Sequence, residues 1–173
     1  MAGMMGQHWL QPDWDPGLTI AHLALSHLTA QGIEAAVLDV DRTLLPGRDV
    51  TLPEPVRFWL MEAKQRFSLH LFSNNPSHSR IAAVADQLGV SFTAAAGKPR
   101  RGALRRVLAD LDLPANRVAM VGDRLFTDVL CGNRLGLYTV LVRPVRLDGT
   151  ACYQDRVQRF ERTLSRWMGA PTA

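Results

Sequence analysis

A set of polar residues falls at the ends of short apolar runs, and their types suit one chemistry. In "AAVLDVDRT" the run Ala35–Leu38 ends in Asp39 and Asp41. "LHLFSNN" ends in Ser73 and Asn74, "AGKPR" carries Lys98, and "MVGDRLFTD" carries Asp123 and Asp128. Carboxylates at the mouth of an apolar run are costly to desolvate unless they are partnered. Asp39 and Asp123 can supply hard oxygens to Mg²⁺, which binds one or two carboxylates together with phosphate and water. Asp39 can also attack phosphorus and form an aspartyl-phosphate. The metal and the Lys98 ammonium offset the repulsion between that carboxylate and a phosphate dianion. Asp41, two residues on, is spaced to protonate the leaving oxygen and then deprotonate the attacking water. It joins Asp39 and Asp123 in the expected metal set. Ser73 suits the phosphoryl oxygens, and Asp128 suits an outer position, anchoring Lys98 or metal-bound water. The set points to phosphoryl transfer on a divalent metal.

These residues need elements that bring them to one edge. Short apolar segments at Ala35–Asp39, Ser68–Ser73, Val90–Thr93, Arg117–Val121 and Tyr138–Val142 predict strands. Helical patterns separate them at Glu54–Arg66, Ser77–Leu88, Arg101–Leu111 and Phe126–Leu135, with further helices near Leu18–Gln31 and Gln154–Met168. Apolar strands alternating with helices predict a parallel sheet covered on both faces. The expected fold is a Rossmann-like three-layer α/β/α sandwich with a five-stranded parallel sheet. The expected organisation is one domain over 1–173, with a core at about 33–145 between flanking terminal helices. Ligands of such sheets bind outside the carboxyl ends of the strands, where the polar residues fall.

The ordered elements "VLDVDRT", "LHLFSN", Lys98 and "VGDRLFTD" resemble the signature of the haloacid dehalogenase-like (HAD) phosphatases. Asp41 favours phosphotransfer, because the dehalogenase members lack that second acid. "LQPDW", "FSNNP", "AGKPR", "GDRLFTDVLCGNRLG" and "VRPV" resemble the YqeG-type subfamily, HAD class IIIA, across nearly the whole chain. The resemblance implies an Mg²⁺-dependent phosphomonoesterase, with Asp39, Asp41 and Lys98 catalytic and Ser73, Asn74 and Thr43 contacting substrate. Related mitochondrial and fungal proteins are phosphatidylglycerophosphate phosphatases, so phosphatidylglycerophosphate is the expected substrate. Soluble sugar phosphates, nucleotides and phosphoproteins are the alternatives, and an RNA- or ribosome-associated binding protein is a further one. Arg42 departs from the asparagine or glycine usual at its position and belongs either to the pocket rim or to solvent.

The intervals from Thr43 to Ser68 and from Asn75 to Lys98 are too short for a cap domain, so the site is expected to be open. An open site suits a phosphate carried by something large. The composition, 47% hydrophobic and 21% charged, excludes a disordered chain. No apolar run approaches the roughly 20 residues that span a bilayer. Cys131 and Cys152 match no zinc or disulfide spacing, and the start lacks a secretory pattern, so a cytoplasmic location is expected, with peripheral contact to the membrane's inner face as an extension. The net charge of +4 comes from 18 arginines against two lysines, which makes Lys98 stand out. It favours anionic partners, although no nucleic acid is expected. Simpler readings stand beside these. Asp39 and Asp41 could end a strand in a turn, Ser73 and Asn74 could cap a helix, and Asp128 could serve only a helix start. Arg100, Arg101, Arg105 and Arg106 read as a solvated helix face, and His78 as solvent-exposed. In the C-terminal helix Val157, Phe160, Leu164, Trp167 and Met168 share a face, read first as core packing and second as membrane contact. Trp9 and Trp14 likewise read as covering the domain before touching lipid.

Overall fold

The computed structural model describes residues 9–153 and 155–169. In chain order its elements are α1 (Leu25–Ala30), β1 (Ala35–Leu38), α2 (Glu54–Lys64), β2 (Ser68–Phe72), α3 (His78–Leu88), β3 (Ser91–Thr93), α4 (Gly102–Leu111), β4 (Val118–Gly122), α5 (Leu130–Asn133), β5 (Tyr138–Leu141) and α6 (Arg156–Trp167). The strands form one parallel sheet in the order β3-β2-β1-β4-β5. The order reverses beside β1, so the end of β1 sits at the switch point where such sheets bind ligands.

Side chains alternate across the sheet with period two. Ala36, Leu38, Leu69, Leu71, Ala119 and Val121 pack on one face with Leu28 of α1, Val56 and Leu60 of α2, and Ile81 and Val84 of α3. Ala35, Val37, Phe72, Val118 and Met120 pack on the other with Leu104 and Val107 of α4 and Cys131 of α5. The result is the expected three-layer sandwich. Between β1 and β2 stand one loop and α2, and between β2 and Lys98 stand α3 and β3, so neither interval holds a cap. Trp14 closes the edge of β5: its N–H donates to the Thr139 carbonyl at 3.0 Å, and its ring stacks on His27 at 4.0 Å. Trp14 therefore covers the domain.

Two expected helices differ. The one at Leu18–Gln31 is a short turn, Ile20–His22, followed by α1. The Leu23 carbonyl accepts from Trp59 Nε1 at 2.8 Å, and this tertiary bond takes an acceptor that a continuous helix needs. The one at Phe126–Leu135 opens as a wide π-type turn, Leu125–Val129, before α5. Widened turns of this kind mark places where other groups enter the helix ladder. Here the Leu125 N–H donates out of the helix to Glu161 Oε2 at 3.0 Å. Gln154, the expected start of the last helix, lies outside the described residues.

Gly132 of α5 lets the helix lie on the sheet, since a Cβ there meets Thr139 Cγ2 at 2.6 Å and Met120 Cβ at 3.0 Å. Alanine gains about 1 kcal/mol in helix propensity, but overpacking a closed core costs about 1–3 kcal/mol. Gly132→Ala is expected to lower the urea midpoint at unchanged slope. A midpoint at or above that of the wild type would show that Thr139 moves aside freely.

Candidate active site

The strand ends converge on Lys98. Its Nζ donates to Asp39 Oδ1 at 2.6 Å, to Asp128 Oδ1 at 2.6 Å and to the Phe72 carbonyl at 2.9 Å. An ammonium has three donors, and all three are used. The backbone of Lys98 is held as well. Asn74 Oδ1 accepts from the Lys98 N–H at 2.7 Å, and Asn74 Nδ2 donates to its carbonyl at 3.0 Å. Thr43 Oγ1 donates to Asp39 Oδ2 at 3.1 Å. Asn74 and Thr43, expected at the substrate, thus spend these bonds on Lys98 and Asp39. Ser73 Oγ, buried at the end of β2, donates to Asp41 Oδ2 at 3.2 Å and accepts from the Asn75 N–H.

Asp39, Asp123 and Asp128 are all buried and offer oxygens within 4.8 Å of one another. Burial raises the Asp39 carboxyl to about 6; Asp128 pushes the same way, and Lys98 and Thr43 oppose. Asp123 is held well above the ordinary carboxylate range by burial and then by Asp39 and Asp128, against Arg42 and Arg124. Burial alone lowers an ammonium, yet Asp128 and Asp39 together hold Lys98 above its ordinary value. The residues fit a divalent cation. Asp123 Oδ2 is buried and accepts no hydrogen bond; Arg42 Nε stands 3.2 Å away but out of line. Both oxygens of Asp128 are engaged, Oδ1 by Lys98 and Oδ2 by the Arg124 N–H at 3.2 Å. The free valence therefore lies on Asp123; Asp39 accepts one bond at each oxygen, from Lys98 and from Thr43, and a carboxylate oxygen keeps a second lone pair for a cation. Asp41, the third acid of the expected metal set, keeps its carboxylate outside this trio, on Ser73 and on Arg80 Nη1 at 2.6 Å.

Asp39, Asp41, Arg42, Asn74, Lys98, Asp123, Arg124 and Thr127 line a pocket of about 140 Å³ at this edge. A hollow of about 660 Å³ adjoins it across Arg42, walled by Pro46, Pro144, Val145, Leu147, Cys152 and Asp155 among others. Arg42 belongs to the rim, paired with Asp123 and, through Nη2, with Asp155. Three residues at this edge carry no signal in the motifs. Arg80 anchors Asp41. Gln158 Nε2 donates to the carbonyls of Asp123 and Val142, both at 2.9 Å, and Glu161 accepts from Leu125 N and from Arg124 Nε. Gln158 and Glu161 reach the site from a helix more than thirty residues downstream, and only tertiary structure brings them there. His78 is exposed, its ring edge on Phe92, and of the arginines of α4 and its approach Arg100, Arg105 and Arg106 are exposed.

Residues 95–145 match the HAD-hydrolase-like family model. The chain is 31% identical over 149 residues to the probable phosphatase YqeG of Bacillus subtilis, covering 85% of this chain and 83% of that protein. The chain belongs to the YqeG-type HAD hydrolases. It is a HAD-type phosphatase, a phosphoric monoester hydrolase. It is also 31% identical over 159 residues to the chloroplastic phosphatidylglycerophosphate phosphatase 1 of Chlamydomonas reinhardtii, covering 86% of this chain but only 59% of that protein. Among solved structures, the 3-deoxy-D-manno-octulosonate 8-phosphate phosphatase of Moraxella catarrhalis, in complex with magnesium, phosphate and its sugar, shares the fold. Its TM-score is 0.51 at 15% identity, over 83% of this chain and 92% of that one. The buried aspartate cluster is of the kind this fold family uses for Mg²⁺.

Removing one charge from the trio should move stability and metal binding in opposite directions. A raised carboxyl disfavours folding at pH 8, because the folded state must bury a charge or bind a proton above the acid's ordinary range. Asp123→Asn does neither. It is expected to raise the melting temperature in EDTA at pH 8 and to abolish the further rise on adding Mg²⁺. A variant that melts lower in EDTA and still responds to Mg²⁺ would remove Asp123 from the metal set.

Proposed function

We propose that the chain is an Mg²⁺-dependent phosphomonoesterase working through an aspartyl-phosphate on Asp39, with phosphatidylglycerophosphate as its substrate at a membrane surface. The observation that carries the mechanism is the buried Lys98–Asp39 pair at 2.6 Å, facing a pocket that admits little beyond a phosphoryl group. Lys98 keeps Asp39 ionised against its burial, and an ionised carboxylate is the nucleophile. An Asp39 oxygen attacks phosphorus, the ester P–O bond breaks, and the proton of Asp41 goes to the leaving alkoxide. Water then attacks the aspartyl-phosphate, its proton passes to Asp41, and phosphate and the Asp39 carboxylate are released. Ser73 and Arg80 hold Asp41 during both transfers. Asp39 and Asp123 are the residues that would hold the metal, whose charge supports the attack on an anionic ester. Asp128 fixes Lys98. The lipid reading draws on the likeness to the algal enzyme and on the capless edge, where the larger part of a substrate remains outside the pocket.

Phosphate release from phosphatidylglycerophosphate in mixed micelles is expected to require Mg²⁺, and Asp39→Asn is expected to reduce it at least about 1,000-fold while the fold persists. Full activity in that variant would sink the nucleophile assignment. Cleavage of p-nitrophenyl phosphate without cleavage of the lipid would keep the chemistry and discard the lipid. Asp41→Asn should slow an alkyl phosphate far more than p-nitrophenyl phosphate, whose leaving group departs without a proton. Equal losses on the two esters would count against Asp41 as the acid.

A further inference from the structure

α6 is inverted. Its buried positions are Gln158, Glu161 and Ser165, all polar. Its apolar residues face out: Phe160 is 66% exposed, Trp167 85% and Met168, just past its end, 61%, with Val157 exposed and Leu164 half-buried. The expected core packing of this face is therefore corrected. The polar face is inward because it serves the ends of β4 and β5, where Gln158 and Glu161 take up otherwise unpaired groups of Asp123, Arg124 and Leu125 after β4 and of Val142 after β5. A contiguous apolar stripe on a monomer's surface marks an interaction site.

The charges around the stripe indicate its occupant. Arg156, Arg159 and Arg166 are exposed on α6. The acids of the helix and its cap are turned inward: Glu161 is paired with Arg124 and Asp155 with Arg42. From 156 to 169 the exposed side chains are arginines, apolar residues and Thr163, with no carboxylate among them. At 3.6 residues per turn the stripe flanks one side of the buried face and Arg159, Arg162 and Arg166 flank the other, and the two meet across the outer face at Arg156 and Thr163. A helix with an aromatic stripe, arginines beside it and low mean hydropathy lies in the interface plane of an anionic bilayer. The connection leading into α6 adds Leu147 and Tyr153, exposed by 83% and 68%. Leu147 and Asp155 wall the hollow that adjoins the active-site pocket across Arg42. We propose that the outer face of α6, with Leu147 and Tyr153, is the surface by which this phosphatase docks on an anionic lipid bilayer.

The proposal goes beyond the lipid-substrate reading, and its test needs no turnover, so the two can fail separately. The full chain is sedimented with vesicles of phosphatidylcholine alone or with phosphatidylglycerol added. Wild type is expected to pellet with the anionic vesicles only, and less at high salt. Phe160→Ser/Trp167→Ser and Arg159→Glu/Arg166→Glu should each weaken partitioning about tenfold or more, as an arginine near such a surface contributes roughly fivefold. Hydrolysis of p-nitrophenyl phosphate should be unchanged in both, which shows the site intact. Equal pelleting on neutral vesicles, or wild-type binding by both variants, would overturn the proposal. So would a concentration-dependent dimer that Phe160→Ser/Trp167→Ser dissolves, which gives the face to a second copy of the chain.

Discussion

One buried ammonium holds the ligand edge together. Asp39 and Asp123 come from the ends of β1 and β4 and Asp128 from the turn after β4, and the three crowd within a few ångströms of one another, where low polarisability makes like charges repel strongly. Lys98 supplies the counter-charge, and its third donor goes to the end of β2. An ammonium in that position is costly to desolvate and is retained only because every donor is matched. The loop that delivers it must therefore be exact in register, and the two bonds from Asn74 to the Lys98 backbone set that register. The close packing extends to the last residue of β4, where Gly122 leaves no room for a Cβ beside Asp128. Strand order, loop length and side-chain size at three strand ends thus answer to a single ion-pair cluster.

The cluster also explains the last helix. The ladder of β4 ends at Gly122, and the Asp123 carbonyl and the Leu125 N–H beyond it are buried and need partners. The chain supplies them from α6, more than thirty residues later in sequence. A helix that spends its inward positions on such partners cannot also bury an apolar stripe. Its outward hydrophobicity is a consequence of how the active-site loop is held, and the protein retains it as a surface.

Much of this was legible in the chain. Five apolar runs located the five strands to within a residue or two, since parallel strands buried on both faces carry little else. The rule that ligands sit at carboxyl ends of strands gathered Asp39, Ser73, Lys98 and Asp123 before any coordinates, and the rarity of lysine singled out Lys98. What escaped was set by tertiary contacts. Arg80 is one arginine among 18 and acquires meaning only from its 2.6 Å contact with Asp41. The carboxylate direction of Asp41 depends on that contact and on Ser73. For α6, periodicity revealed two faces and could not say which turns inward, because the usual rule that the apolar face does so assumes nothing polar inside needs a partner. The helix near the N-terminus broke for a similar reason, a carbonyl claimed by Trp59.

Arg42 joins the two halves of the picture. It holds a positive φ of 69°, a conformation that non-glycine residues adopt sparingly and that persists where surroundings over-determine it. The surroundings here are specific. Its Nε stands by Asp123 in the pocket, its Nη2 pairs with Asp155 at the cap of α6, and its backbone N–H and carbonyl bond to Leu45 and Val145. The strained turn after Asp41 therefore points one guanidinium at both the reacting edge and the start of the outward-facing helix. The smaller residue usual at this position could make the turn without making that link. A long cation there ties the aspartate pocket to the segment that carries the exposed stripe, and the hollow beside Leu147 is lined by Arg42 and Asp155 of that same link.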